Sequence, residues 1–160
     1  GKDSTFLAYE AKDEFGPENV WGVTMPNGKQ ADIADSMRVI EATGINHVRV
    51  NIAEAFSSIG MQIPGFGNDA RITLPPRLRM SCLYAIAQTL GACVVKTDNL
   101  SEMVAGYYTL WGDGAGSYAP LRGLTVTSLI TVESAFVIAE LEVGAGSGGN
   151  GQRRGNSYFI

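Results

Sequence analysis

Two short segments, far apart in the chain, carry the residue types that phosphate chemistry needs. Gly1-Lys2-Asp3-Ser4-Thr5 opens a helical stretch with a glycine, one carboxylate and two hydroxyls. The amino end of a helix presents N–H groups without intrahelical partners and a partial positive charge, and both suit phosphate. Asp3 offers Mg²⁺ a hard oxygen ligand beside that phosphate; its ordinary alternative is helix capping. Thr97-Asp98-Asn99-Leu100-Ser101-Glu102 leaves an apolar run and enters a second helical stretch. There Asp98, Asn99 or Ser101 can cap the helix and Glu102 can favour its positive end. The functional alternative has Thr97 contacting a nucleotide and Glu102 giving the metal a second carboxylate.

A third segment, Arg77-Leu78-Arg79-Met80, follows two prolines. Arginines at a helix amino end oppose the dipole, which points either to a solvated salt bridge or to an anionic partner gripped by the planar guanidinium. The fourth, Gly106-Tyr107-Tyr108-Thr109-Leu110-Trp111-Gly112-Asp113 with Gly114-Ala115-Gly116, sets glycines beside aromatics. That mixture costs chain entropy and reads as a ligand wall, with Asp113 placed to bond an amide, a ribose or ammonia; some of the aromatics, Tyr107 or Tyr108 above all, read as core.

Positioning these segments falls to alternating helices and strands. Helical composition covers 4–15, 32–43, 54–63, 76–90, 100–110 and 125–143, with Pro76 as the start of the fourth. On 32–43, Ile33, Met37 and Ile40 share a face; on 76–90 the inner side is Leu78, Cys82, Ala85, Ile86 and Leu90. Strand patterns cover 19–25, 47–52 and 92–97. Strands separated by helices imply crossovers, hence an α/β fold with a parallel sheet flanked by helices on both faces. Ligands of such sheets bind beyond the carboxyl ends of the strands, where the phosphate-type segments fall. Gly144-Ala145-Gly146-Ser147-Gly148-Gly149 fits a dinucleotide fingerprint formally, but too few residues follow it for the helix and acidic residue that the motif needs.

Composition limits the alternatives. Of 160 residues, 45% are apolar and 18% charged, enough apolar content for a core and too little charge for global disorder. A net charge of −4 argues against coating nucleic-acid backbones by bulk charge. No apolar run reaches the ~18 residues of a membrane span, and no secretion signal opens the chain. Cys82 and Cys93 make no disulfide framework and read as buried thiols in a reducing, cytoplasmic setting. His47, the sole histidine, reads as structural, so histidine triads and multi-histidine metal sites are excluded.

Taken in order, these segments resemble a known family. Gly1 to Thr5 is similar to the end of the pyrophosphatase loop of adenine-nucleotide α-hydrolases. RLRM with LYAIAQ (Arg77 to Gln88), TDNLSE (Thr97 to Glu102) and GYYTLWGDGAG (Gly106 to Gly116) resemble ammonia-dependent NAD synthetase. Met25-Pro26-Asn27-Gly28 with Gln30, and Asp32 to Ser36, add support. The resemblance covers Gly1 to Thr127 and implies a Rossmann-like domain over 1–143, its first strand missing, with a glycine-rich tail over 144–160. It implies adenylation of the nicotinate carboxyl of deamido-NAD by ATP, then displacement of AMP by ammonia.

Carried over by motif position, Gly1, Asp3, Ser4 and Thr5 would surround the ATP phosphates. Gln30 and Thr97 would contact ATP, and Asp3 and Glu102 would bind Mg²⁺. Arg77 would contact deamido-NAD, Asp113 would lie at the reacting carboxyl as the catalytic residue, and the protein would be a homodimer with deamido-NAD at its interface. Leu110 and Val126 depart from lysines common in the family, and Arg153 and Arg154 stand in an altered carboxyl-terminal segment. The competing readings are another adenylating enzyme of the superfamily and a nucleotide-binding remnant without turnover.

Overall fold

Strand β1, Val20–Thr24, shows why the molecule is layered. Successive side chains of a strand point to opposite faces. Val20 packs with Ala8, Ala11 and Phe15 of α1 (Lys2–Phe15), Val39 and Ile40 of α2 (Ile33–Thr43), and Ile45. Trp21 and Val23 face the other way, against Leu83, Ile86 and Ala87 of α4 (Asn68–Leu90) and Val94 of β3 (Ala92–Val94). Helices therefore cover both faces, as expected of a parallel sheet.

The computed structural model describes residues 1–29, 33–131 and 157–159. Its sheet has the order β2-β1-β4-β3, where β2 is Asn46–Arg49 and β4 is Ser157–Phe159; all three pairings are parallel. Helix α3 (Ala53–Gln62) precedes α4, and α5 (Leu100–Ala105) follows β3. A third apolar cluster, Leu7 with Leu121 and Leu129, has Phe6 and Val95 packed on it. It ties the amino-terminal half of α1 to the region just beyond β3. Among the described residues no helix is long and apolar enough to cross a membrane.

Several expectations are corrected. Helix α4 begins at Asn68, not at Pro76, and runs through Pro75 and Pro76. Neither proline has an N–H for the carbonyl four residues back, so this helix tolerates two missing bonds for the sake of its packing. Its inner face is Leu83, Ile86 and Ala87, while Ala85 and Leu90 are exposed. Helix α5 stops at Ala105, because Gly106 adopts a left-handed φ of 66° and caps it. Cys82 and Cys93 are only half-buried, and both are free. Of the span 125–143, residues 126–131 are helical and 132–143 lie outside the described residues. Within the segment expected as a tail, residues 157–159 form a sheet strand, whereas Gly144 to Gly149, Arg153 and Arg154 lie outside the described residues.

One polar residue aligns the edge of the sheet. Asn46 Nδ2 donates to the carbonyls of Glu18 at 2.9 Å, Val20 at 3.1 Å and Pro17 at 3.4 Å, tying β2 to the segment that enters β1. Asn46→Ala should cost about 1–2 kcal/mol in urea unfolding, since the carbonyls it serves are only part-buried. His47 is structural as expected: its Nε2 stands 2.9 Å from Thr24 Oγ1.

Candidate functional site

Beyond the carboxyl end of β1 lies a cleft of about 540 Å³, within the roughly 300–1,000 Å³ range of small-molecule sites. Gly22 to Met25 form its floor. Gly1, Ser4 and Thr5 line it from α1, Ser36 and Val39 from α2, and Arg79 from α4. Gly22 lets α2 approach the sheet: a Cβ there would stand 3.1 Å from Ile40 Cγ1 and 3.2 Å from Ile45 Cδ1. Local hydrogen bonding shapes the start of α1. Thr5 N–H donates to the Gly1 carbonyl at 3.1 Å and Ser4 Oγ to the same carbonyl at 3.0 Å. Gly1 has no side chain with which to cap the first-turn amides. Asp3 sits on that turn, outside the lining of the cleft, against the Lys2 ammonium.

The loop after β1 is held by a residue that the sequence reading passed over. Asn51 Oδ1 accepts from Gly28 N–H at 3.2 Å and from Ala53 N–H at 3.0 Å, joining the loop to the start of α3. Backbone bonds from Val50 N–H to the Thr24 carbonyl and from Ile52 N–H to the Pro26 carbonyl extend the junction. Gly28 takes a left-handed φ of 78° where the loop turns. Gln30 and Asp32 lie outside the described residues.

Beyond β3 the capping alternative is realised. Asn99, fully buried, accepts from Glu102 N–H at 3.1 Å, and Glu102 Oε2 accepts from Asn99 N–H at 3.1 Å, a reciprocal capping box for α5. Half-buried Thr97 directly precedes buried Asp98. Lys96 Nζ stands 3.0 Å from Asp98 Oδ2 outside hydrogen-bond geometry, so this contact is Coulombic. Arg77 and Asp113 converge on another neighbourhood. Arg77 donates through Nε to the Leu110 carbonyl at 3.2 Å and through Nη1 to Thr73 Oγ1 at 2.9 Å, while Asp113 Oδ1 accepts from Thr109 N–H at 3.1 Å. None of Arg77, Thr97, Glu102 and Asp113 lines the cleft. Among the described residues, no three histidine, cysteine or acidic side chains gather as a metal cluster.

The glycine-rich loop has a packing reason for its composition. A Cβ on Gly116 would stand 2.5 Å from Lys96 Cβ, and one on Gly114 2.5 Å from Tyr108 Cδ2. The expectation that Tyr107 or Tyr108 is core is corrected: Tyr107 is 81% exposed and Tyr108 40%. Chain reversal at Gly106 turns both rings outward, although Lys96 Nζ still lies 5.3 Å from the Tyr108 ring centroid. Trp111, also exposed, has a φ of 58°, unusual for a residue with a side chain.

Comparison with known proteins shows the family to which this arrangement belongs. The model of the NAD synthase family matches residues 1–141. The chain belongs to the NAD synthase family. The NH(3)-dependent NAD(+) synthetase of Thermococcus kodakarensis is 41% identical over 131 residues, which cover 81% of this chain and 51% of that protein. This chain spans about half the length of the curated relatives it matches. Among solved structures, NH3-dependent NAD synthetase from Campylobacter jejuni superposes with a TM-score of 0.80 at 24% identity, covering 88% of this chain and 62% of that one. NMN synthetase from Francisella tularensis gives 0.78 at 27% identity, with 92% and 62% covered. The Rossmann-like fold expected from the motifs is thus the NAD synthase fold. Within it, Arg79 lines the cleft and Asn51 holds the loop after β1.

Proposed function

We propose that this protein is an ammonia-dependent NAD synthetase, an ATP-consuming amide ligase. ATP adenylates the nicotinate carboxyl of deamido-NAD with loss of pyrophosphate, and ammonia then displaces AMP. The observation that carries the reading is the cleft joining the amino end of α1 to the carboxyl end of β1, in a chain of this family. A carboxylate is a poor electrophile, so the enzyme's work is to neutralise phosphate charge and hold two reactants in line. That work needs no histidine–cysteine pair.

In this reading Gly1, Ser4 and Thr5 cradle the phosphates, and Thr97 and Gln30 contact ATP. Asp3 and Glu102 hold Mg²⁺, which screens the triphosphate when bound. The donor set fits: both are carboxylates in the first turns of α1 and α5, and an oxygen that accepts one amide bond keeps a lone pair for a cation. Mg²⁺, when bound, would take its further oxygen ligands from phosphate and water. Arg77 meets deamido-NAD and Asp113 the reacting carboxyl, a role supported by their shared loop. Exposed Met61, Ile72, Val104 and Trp111 support a homodimer, whose partner would cover them. The setting is cytoplasmic, and ammonia reaches the site free or from a separate protein.

The test is incubation of the intact protein with ATP, Mg²⁺, ammonia and deamido-NAD. NAD and AMP should appear in equal amounts, and heavy oxygen placed in the nicotinate carboxyl should be recovered in AMP. A folded sample that makes neither product rejects the reading. Turnover of nicotinate mononucleotide in place of deamido-NAD would move the substrate while keeping the chemistry.

A further inference from the structure

We infer that Lys96 binds the nicotinate carboxylate of deamido-NAD. This rests on the reading of the protein as an NAD synthetase and adds to it a residue to which that reading gives no role. Lys96 stands just beyond the carboxyl end of β3, the side of a parallel sheet on which ligands bind. The loop over 106–118 closes around it. Lys96 N–H donates to the Tyr118 carbonyl at 2.7 Å, its Nζ lies 5.3 Å from the Tyr108 ring centroid, and Gly116 packs so close that a Cβ there would stand 2.5 Å from Lys96 Cβ. Tyr108 directly precedes Thr109, whose N–H donates to Asp113 Oδ1. Lys96 therefore shares a neighbourhood with Asp113 and does not line the cleft beyond β1.

Charge is the reason for a lysine here. With Asp113 beside the reacting carboxyl, two carboxylates stand together, and they repel unless a cation joins them. Arg77 touches the same loop, but it is exposed and bonded to the Leu110 carbonyl and Thr73. Only 16% of the Lys96 side chain is exposed, so its charge is less screened by solvent and salt. Asp98 Oδ2, 3.0 Å away, holds the ammonium by charge alone, because that oxygen makes no hydrogen bond. Nζ likewise donates no hydrogen bond among the described residues, and unlike Asp98 Oδ2 it is not sealed from the surface. An ammonium carries three donors, so Asp98 and Tyr108 position this one and leave its N–H groups for an oxygen ligand. With its counter-ion alongside, the pair has little net charge, which suits a monoanion such as a carboxylate better than a triphosphate.

The experiment is calorimetric titration of the intact protein with deamido-NAD and with NAD, which differ in one place, a carboxylate against an amide. Lys96→Met should weaken deamido-NAD roughly 10–100-fold, the size of a lost hydrogen bond to a charged group, and NAD by less than about threefold. That variant leaves Asp98 buried without its counter-ion, so Lys96→Met/Asp98→Asn, which removes both charges, carries the same test if the single variant does not fold. Both variants should bind a non-hydrolysable ATP analogue with Mg²⁺ as the wild type does. Equal losses for deamido-NAD and NAD would make Lys96 a mere support for the loop and overturn the inference, as would unchanged deamido-NAD binding. A loss confined to the ATP analogue would put a phosphate on the ammonium instead and overturn it too. A wild-type protein that binds neither dinucleotide rejects the synthetase reading itself, and the inference falls with it.

Discussion

Glu102→Gln should remove nearly all synthetase turnover from a protein that unfolds as the wild type does. Glutamine keeps an acceptor oxygen at the end of the same chain, so Asn99 N–H retains its partner and the capping box of α5 survives. What disappears is the negative charge. If that charge holds the ion screening the triphosphate, kcat should fall roughly 10²–10³-fold, as when one electrostatic contact to a reacting group is removed. Glu102→Ala should show the same loss of turnover plus about 1 kcal/mol of instability, because it also breaks the cap. Asp3→Asn should match Glu102→Gln in turnover with little effect on stability, since its contact with Lys2 is an ion pair close to the surface. Lys2→Ala is the control and should change neither. Steady-state kinetics with urea titrations separate these outcomes: a Glu102→Gln protein that turns over normally leaves Glu102 as a helix cap and nothing more.

The contrast between Glu102 and Arg79 shows what a one-dimensional pattern conveys. The capping role of the Thr97 to Glu102 segment was legible, because a capping box is a local feature with fixed spacing. Helix ends at Gly44 and Gly91 were legible for a similar reason: each glycine takes a φ near +67° that other residues avoid. The phase of α4 was not. Apolar residues recur at helical spacing on more than one face of 68–90, and only docking on β1 and β3 selects Leu83, Ile86 and Ala87 over Ala85 and Leu90. Which of two arginines enters the cleft follows from that same phase. Asn46 and Asn51 were invisible for a different reason: the groups they serve include partners 23 to 29 positions away, and an isolated asparagine in a strand or loop carries no periodic mark.

The glycines of the loop over 112–116 divide the same way, and substitution should expose the division. At Gly116 the added Cβ would stand 2.5 Å from Lys96 Cβ and 3.0 Å from its backbone N and Cα. Backbone cannot rotate aside, so the strand end or the loop must move. The bonds at risk are Lys96 N–H to the Tyr118 carbonyl at 2.7 Å and Ser117 N–H to the Val94 carbonyl at 2.8 Å. Gly116→Ala should therefore cost about 2–4 kcal/mol, overpacking and weakened hydrogen bonds together. It should also depress turnover, because Thr97 follows Lys96 directly. At Gly114 the obstacle is the Tyr108 ring, which is 40% exposed and has solvent to swing into, so Gly114→Ala should cost less than about 1 kcal/mol. Thermal melts of the two variants give the ranking. Equal costs would mean that the loop, rather than the Lys96 backbone, absorbs the added methyl, and a ligand wall would again be the better account of its glycines.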